Sequence, residues 1–172
     1  KTFLEIFKHI IFETKILIFS TKINDLSYFI YGLICLLFPF HYSFQISSSI
    51  PRNAYSVIES ISPYILGINK LFKKTFFKEN KIDISDLNIL IIDLDGCYIK
   101  YFGKKTLPDI PKSLGKPLYD GLNSIHKIKP DLWSEEEKDN NYKIIRILFY
   151  EFFIKIMLNY DLYMKQDYFR NK

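Results

Sequence analysis

The stretch Lys15 to Phe40, KILIFSTKINDLSYFIYGLICLLFPF, constrains the fold more than any other part of the chain. Ile16-Leu17-Ile18-Phe19 is too short for a helix and rich in β-branched and aromatic side chains, which reads as a buried strand. Ser20 to Asn24 is a polar break, and Asn24 or Asp25 can cap the helix that follows. Leu26, Phe29, Ile30, Leu33 and Leu37 recur at helical spacing, with Ile34 and Leu36 widening the apolar stripe. Pro39 stops the helix, because the residue before a proline is pushed out of the α region. Strand, turn and apolar helix make half of a βαβ unit. The expected class is α/β, a central and mostly parallel sheet with helices on both faces, followed by a helical C-terminal extension.

The rest of the chain fits this frame. Thr2 to Glu13 repeats apolar residues with a helical period, and Glu5, Lys8, His9 and Glu13 fall on or near its wet side, so His9 reads as a surface residue. Tyr42 to Ser48 and Tyr64 to Gly67 read as strands, with a short helix at Asn53 to Glu59 between them. Asn69 to Phe77 forms a further helix and Lys78 to Asp86 a charged loop. Leu90-Ile91-Ile92 is a strand that ends at Asp93-Leu94-Asp95-Gly96. Asp95-Gly96 predicts a tight hairpin, with Cys97 to Phe102 returning as a strand. Past Gly103 the composition shifts. Prolines 108, 111 and 117 mark a loop, Leu118 to Ile128 a short helix, and Lys129 to Asn141 a charged exposed segment. Tyr142 to about Tyr163 is the longest helix, with Lys143, Arg146, Glu151, Lys155 and Asn159 on one narrow polar stripe and the remaining circumference buried, by this domain or by something absent from this segment.

Composition narrows the function. In 172 residues, 48% are hydrophobic and 17% aromatic, enough for a sizeable core and against disorder of the whole chain. The net charge of +5 comes from scattered lysines, which favours acidic partners or anionic membranes without defining a nucleic-acid surface; no nucleic acid is expected. Two cysteines, Cys35 and Cys97, make neither a disulfide framework nor a zinc cluster, and their apolar neighbours suggest small core fillers in a reducing, cytosolic setting. The chain starts at Lys1 without Met, as a segment of a longer protein would. Leu26 to Pro51 carries no Asp, Glu, Lys or Arg, but its apolar part ends at Pro39-Phe40, short of the ~18–20 residues of a spanning helix.

Chemistry-bearing patterns are few. Leu90 to Gly96, an apolar strand running into Asp-x-Asp-Gly, looks like the first motif of haloacid-dehalogenase-type phosphatases. In that family the first Asp is the nucleophile and the second the general acid, with Mg²⁺ between them. That fold also needs a later lysine and a downstream acidic pair at a strand end, and the 76 residues after Gly96 hold no such strand. The plainer reading takes precedence: a strand end and hairpin, with Asp95 chosen for its tolerance of positive φ. There is no glycine-rich phosphate loop, and His9, His41 and His126 stand far apart without ligand-spaced partners, so no catalytic residue, cofactor or metal is expected.

The order of elements carries a second signal. Phe12-Glu13 with Lys15-Ile16-Leu17-Ile18-Phe19-Ser20, then Leu36-Leu37-Phe38-Pro39-Phe40, resembles the central module of the DENN domain family. The likeness continues through Ile50-Pro51 and Ser62-Pro63-Tyr64-Ile65-Leu66-Gly67, and closes with Ile91-Ile92-Asp93-Leu94-Asp95. Leu107-Pro108 and the helix carrying Phe149, Phe152, Phe153 and Tyr160 look like the start of the trailing DENN module. Tyr42 departs from the Trp that many members carry after Pro-Phe, and the segment before Pro51 is serine-rich rather than apolar.

The resemblance implies two regions: residues 1–103 as the central α/β module, and 104–172 as the start of the downstream helical module, packed in the same lobe. It implies nucleotide exchange on a Rab-family small GTPase, clasped together with an upstream longin-like lobe of the same parent chain. It also implies a cytoplasmic protein in peripheral contact with vesicle or endosomal membranes. A non-exchanging DENN-like scaffold of a trafficking complex is the alternative, and the phosphatase is a remote one. The family's motifs are core and turn positions, so the contact surface is placed by a general rule instead. In open α/β sheets ligands sit outside the carboxyl ends of strands, here Ser20, Thr21, Lys22 and Asn24 on one loop and Asp93, Asp95 and Gly96 on another.

Overall fold

The computed structural model describes residues 2–72, 87–104, 106–125 and 133–158. The chain divides into two compact units, one formed by residues 1–35 and 41–109, the other by 36–40 and 110–172.

The first unit is an α/β sheet domain. Its described elements are α1 (Thr2–Ile11), β1 (Lys15–Ser20), α2 (Ile23–Cys35), β2 (Gln45–Ser47), a 3-10 helix (Arg52–Glu59), β3 (Tyr64–Asn69), β4 (Ile89–Asp93) and β5 (Tyr98–Phe102). The strands lie in the order β2-β3-β1-β4-β5. β1 is central and pairs in parallel with β3 (Ile16 opposite Ile65) and with β4 (Ile16 opposite Leu90). β2 joins β3 in parallel, and β5 alone runs antiparallel, with Asp93 opposite Tyr98. The continuous apolar runs of β1, β3 and β4 follow from this placement, since a central parallel strand is covered on both faces.

Strand periodicity sorts the coverings. Leu17, Phe19, Leu66, Ile68, Ile89 and Ile91 point to one face, where Tyr55 and Ile58 of the 3-10 helix and Ile50 pack on them. Tyr101 is the register partner of Leu90 and therefore lies on the opposite face, where its ring sits 4.8 Å from that of His9 in α1. Gly67 lies on that second face too: a Cβ there would press on Leu26 of α2 and on the Ser48 carbonyl. So α1 and α2 cover one face, and the 3-10 helix covers the other.

Several boundaries differ from the expectations. β2 is three residues rather than Tyr42 to Ser48, and the short helix expected at Asn53 to Glu59 is a 3-10 helix over Arg52–Glu59. α2 begins at Ile23, which puts Asn24 and Asp25 inside its first turn instead of at its cap. It ends at Cys35, well before Pro39, so proline does not terminate it. The expected helix from Asn69 to Phe77 is described only as a 3-10 turn at Lys70–Phe72; the remainder, with the charged loop to Asp86, lies outside the described residues.

Three residue assignments also change. His9 is buried, 2% exposed, because the last turn of α1 rolls it under Tyr101. Cys35 and Cys97 are exposed, Cys35 at the end of α2 and Cys97 in the β4–β5 turn, so neither fills the core.

In the second unit, α3 (Lys112–Ile125) begins within the expected proline loop and carries Pro117 in its interior. α4 (Glu135–Met157) starts seven residues before the expected Tyr142, because Ser134 and Glu137 form a capping box: the Glu137 N–H donates to Ser134 Oγ (3.2 Å) and the Ser134 N–H to Glu137 Oε2 (2.7 Å). The helix buries Phe149, Phe152 and Phe153 and leaves Ile147, Tyr150, Ile154 and Met157 exposed. Its circumference is therefore mostly open among the described residues. None of the described helices is long and apolar enough to cross a membrane.

Candidate functional site

β1, β3 and β4 end side by side, and a cluster of polar side chains is built on those three carboxyl ends. Ser20 closes β1 and Asn69, its register partner, closes β3. Asp93 closes β4 opposite Phe19, and the Leu94 N–H donates to the Phe19 carbonyl at 2.9 Å, carrying the pairing one residue past the strand. The outgoing connections from β1 and β3 leave in opposite directions along the sheet, β1 toward β2 and β3 over β1 to β4. The end of β1 is thus a switch point, the place where an open α/β sheet leaves a crevice.

Asp93 is the anchor. Its carboxyl is almost wholly buried, 2% exposed, and Oδ1 accepts from the Lys70 ammonium at 2.7 Å and from the Gly96 N–H at 2.9 Å. Asp95 Oδ1 accepts from the Ser20 hydroxyl at 2.8 Å and Oδ2 from the Thr21 N–H at 2.9 Å; Lys70 Nζ stands 3.6 Å from Oδ2. Ser20 Oγ in turn accepts from the Lys22 N–H at 3.1 Å. The Ser20 hydrogen bond, then the Thr21 N–H and the nearby Lys70, hold Asp95 below the usual carboxylate range. The carboxylate of Asp93, then that of Asp95, holds the Lys70 ammonium above its ordinary value.

The structure therefore brings together Ser20, Thr21, Lys22, Asp93, Asp95 and Gly96. Asn24 lies apart from these bonds, exposed in the first turn of α2. Sequence reasoning missed Lys70, which it placed only within the expected helix from Asn69 to Phe77. β3 and β4 flank β1, about 10 Å apart at the usual strand spacing, and a lysine stem at the end of β3 spans that gap to reach Asp93. The signal would have been a lysine immediately after an apolar strand, but only the strand order reveals which carboxylate it meets.

The Asp95-Gly96 turn is not the expected two-residue hairpin. Leu94 to Cys97 all lie between the paired Asp93 and Tyr98, and the residue with positive φ is Cys97 (49°), not Asp95. Asp95 is there for its side chain, which ties this turn to the loop after β1.

Chemically the arrangement is a clamp. The Ser20 hydroxyl donates to the Asp95 carboxylate, and Asp93 Oδ1 is covered by an ammonium and a backbone N–H. The bonds tie two loops together, and Thr21, Lys22, Asp95 and Gly96 are exposed along them, with Asn24 exposed in the first turn of α2.

Comparison with known proteins gives this clamp a family context. The model of the DENN (AEX-3) domain matches residues 1–97, which run from α1 through the turn after β4. The chain belongs to the DENN domain family. The Asp-x-Asp-Gly segment lies inside that match, so the strand end that looks like a phosphatase motif is part of the DENN pattern. Among the similar proteins is the MAP kinase-activating death domain protein of Caenorhabditis elegans, 27% identical over 120 residues, 67% of this chain and 8% of that protein. DENN domain-containing protein 2D of Homo sapiens is 24% identical over 172 residues, 95% of this chain and 32% of that protein. The chain thus spans about a third or less of the curated relatives it matches.

Proposed function

We propose that this DENN chain contributes one side of a guanine-nucleotide exchange surface for a Rab-family small GTPase. The observation that carries the reading is the DENN match over residues 1–97 together with the rigid polar ridge at the ends of β1 and β4. Exchange requires no general base or nucleophile. A factor that binds the nucleotide-free GTPase more tightly than the GDP-bound form stabilises the open state and so speeds GDP and Mg²⁺ departure. Stiffness helps this task, because a contact that adapts equally well to both partner states favours neither. The bonds of Asp95 to Ser20 and Thr21, and of Asp93 to Lys70 and Gly96, supply that stiffness. Thr21, Lys22 and Asn24 are the exposed residues assigned to the contact.

In this reading residues 1–103 form the central module and 104–172 begin the downstream one. An upstream longin-like lobe supplies the facing half of the clasp, and the protein works in the cytoplasm against vesicle or endosomal membranes. The test is release of fluorescent GDP from a panel of purified Rab proteins. Acceleration of at least one, lost on Lys22→Glu combined with Asn24→Ala, supports exchange. Failure to accelerate any, with no capture of a nucleotide-free Rab by the chain or its longer parent, replaces exchange with a scaffold role.

A further inference from the structure

The turn after β4 contains a dipeptide with a chemical weakness of its own. Of the six glycines in the chain, Gly96 and Gly121 each follow an aspartate. A glycine nitrogen, with no Cβ to shield it, can attack the Cγ of the aspartate before it. The N–Cγ bond forms, and the carboxyl OH leaves with the amide proton as water, which closes a succinimide ring. Water then adds to one of the two ring carbonyls. Addition at the α-carbonyl breaks its bond to nitrogen, reroutes the main chain through Cβ and Cγ, and leaves an isoaspartyl residue with a free α-carboxyl.

This reaction needs an unengaged nitrogen and a protonated carboxyl, and the structure withholds both. The Gly96 N–H donates to Asp93 Oδ1 at 2.9 Å. Asp95 accepts from the Ser20 hydroxyl at 2.8 Å and from the Thr21 N–H at 2.9 Å, with Lys70 Nζ 3.6 Å away. Each of these donors favours the ionised carboxylate, whose pKa is lowered accordingly. The labile pair is also built in. Those bonds call for an acid at 95, and a Cβ at 96 would stand 3.2 Å from Asp93 Oδ1 and 3.1 Å from the Tyr98 ring. Asp95 and Gly96 are both exposed, so water reaches the turn. Hydrogen bonding, rather than burial, is what protects it.

We propose that Asp95-Gly96 is an isomerisation site gated by the clamp. The pair lasts while Asp93, Lys70, Ser20 and Thr21 hold it, and it converts to isoaspartate during local openings of the two loops. Conversion takes the β-carboxyl out of the bonds to Ser20 and Thr21 and lengthens the backbone of the turn, so the two loops are not rejoined. The experiment ages the purified chain for several weeks at neutral pH and physiological temperature. Both Asp-Gly pairs are then assayed for isoaspartate by electron-transfer mass spectrometry of the digest. Asp120-Gly121 lies inside α3 and outside the clamp, so it reports general unfolding in the same sample. The chain in guanidinium supplies the rate without a gate. Folded wild type should convert at Asp95 at least about tenfold more slowly than the unfolded chain, the factor expected from one hydrogen bond to a charged group. Ser20→Ala removes a donor from Asp95, and Lys70→Met removes the ammonium from Asp93 and Asp95. A rise of at least about threefold at Asp95 alone, in either variant, supports the gate. No rise in both variants overturns it, as do equal rates in folded and unfolded wild type, or no conversion even in guanidinium. A rise by the same factor at Asp120 assigns the reaction to unfolding of the whole chain and overturns the gate as well.

Discussion

Asp93 reads in the sequence as a strand-end residue with a chemical alibi, and its surroundings show why it must be an acid. One oxygen holds both a lysine from the neighbouring-but-one strand and the N–H that closes the β4–β5 turn. A charge-assisted hydrogen bond contributes roughly 1.5–3 kcal/mol, and the Gly96 N–H loses its acceptor as well. Asp93→Ala should therefore lower the denaturation midpoint by the equivalent of about 2–4 kcal/mol in a urea titration. Asp93→Asn keeps the acceptor for Gly96 and should cost about half as much. An unchanged midpoint for Ala would mean that the clamp does not hold the turn.

His9 offers a second test at the same scale. The ring Nδ1 lies 3.0 Å from Thr14 Oγ1, and that hydroxyl also lies 3.2 Å from the His9 carbonyl. Nε2 lies 3.7 Å from Glu5 Oε1, with Lys8 and Tyr101 as the other near groups. Burial pushes the imidazole below its ordinary 6.5, outweighing the attraction of Glu5. The unfolded chain then binds the proton first. Stability is intact above pH 6.5 and declines as pH falls through that value toward the lower folded one, by at most about 1.4 kcal/mol per pH unit. His9→Gln should flatten this slope between pH 7.5 and 5.5 in thermal melts. A slope that persists in the variant assigns the effect to another group.

At the scale of elements, legibility followed hydrogen-bond locality. β1, β3 and β4 are plain in the sequence because their apolar runs report burial on both faces, and that burial holds. The ends of helices are set by local bonds that hydrophobic periodicity does not register. The polar run Glu135 to Asn141 reads as a charged loop, yet the reciprocal bonds of Ser134 and Glu137 start α4 there. Ser134→Ala should destabilise the helix start by about 1 kcal/mol and lower the far-ultraviolet helical signal on warming before the global transition. Simultaneous loss, with no early phase, would show that the first turns unfold only with the rest.

Gly67 is a packing requirement that apolar patterning cannot express. The Ile50 N–H donates to its carbonyl (3.0 Å) while the Ser48 backbone crosses where a Cβ would project. Backbone, unlike a side-chain tip, cannot swing aside. Gly67→Ala should cost about 1–3 kcal/mol and loosen the β2 edge, seen as faster amide exchange at Ile50. Wild-type exchange there would contradict the close approach.

For the molecule as a whole, the strand order decides which residues meet, and the order is the part that no local signal encodes. Ser20 and Asp95 are candidates for one surface on sequence grounds, while Lys70 joins them only because β3 and β4 lie on either side of β1. The coverage of the relatives sets the functional expectation at this scale. On the exchange reading, a chain spanning 32% of DENN domain-containing protein 2D would carry part of an interface, and interfaces depend on a few central anchors. The GDP-release rate per molecule should thus be at least about tenfold lower for this chain than for a longer parent. Equal rates would place the whole exchange surface within these 172 residues.

The central position of β1 also bears on how the chain comes into being. Ile16 must wait for Ile65 and then for Leu90, roughly 50 and 75 residues downstream, before either edge of its strand is paired. At about 5–20 residues per second of synthesis, the segment Lys15–Ser20 leaves the ribosome several seconds ahead of its first partner. During that interval it is a short β-prone run with two open edges, the form of peptide that seeks copies of itself. Nascent chains halted before Tyr64 should therefore need a holding chaperone to stay soluble, and chains halted after Asp93 should not.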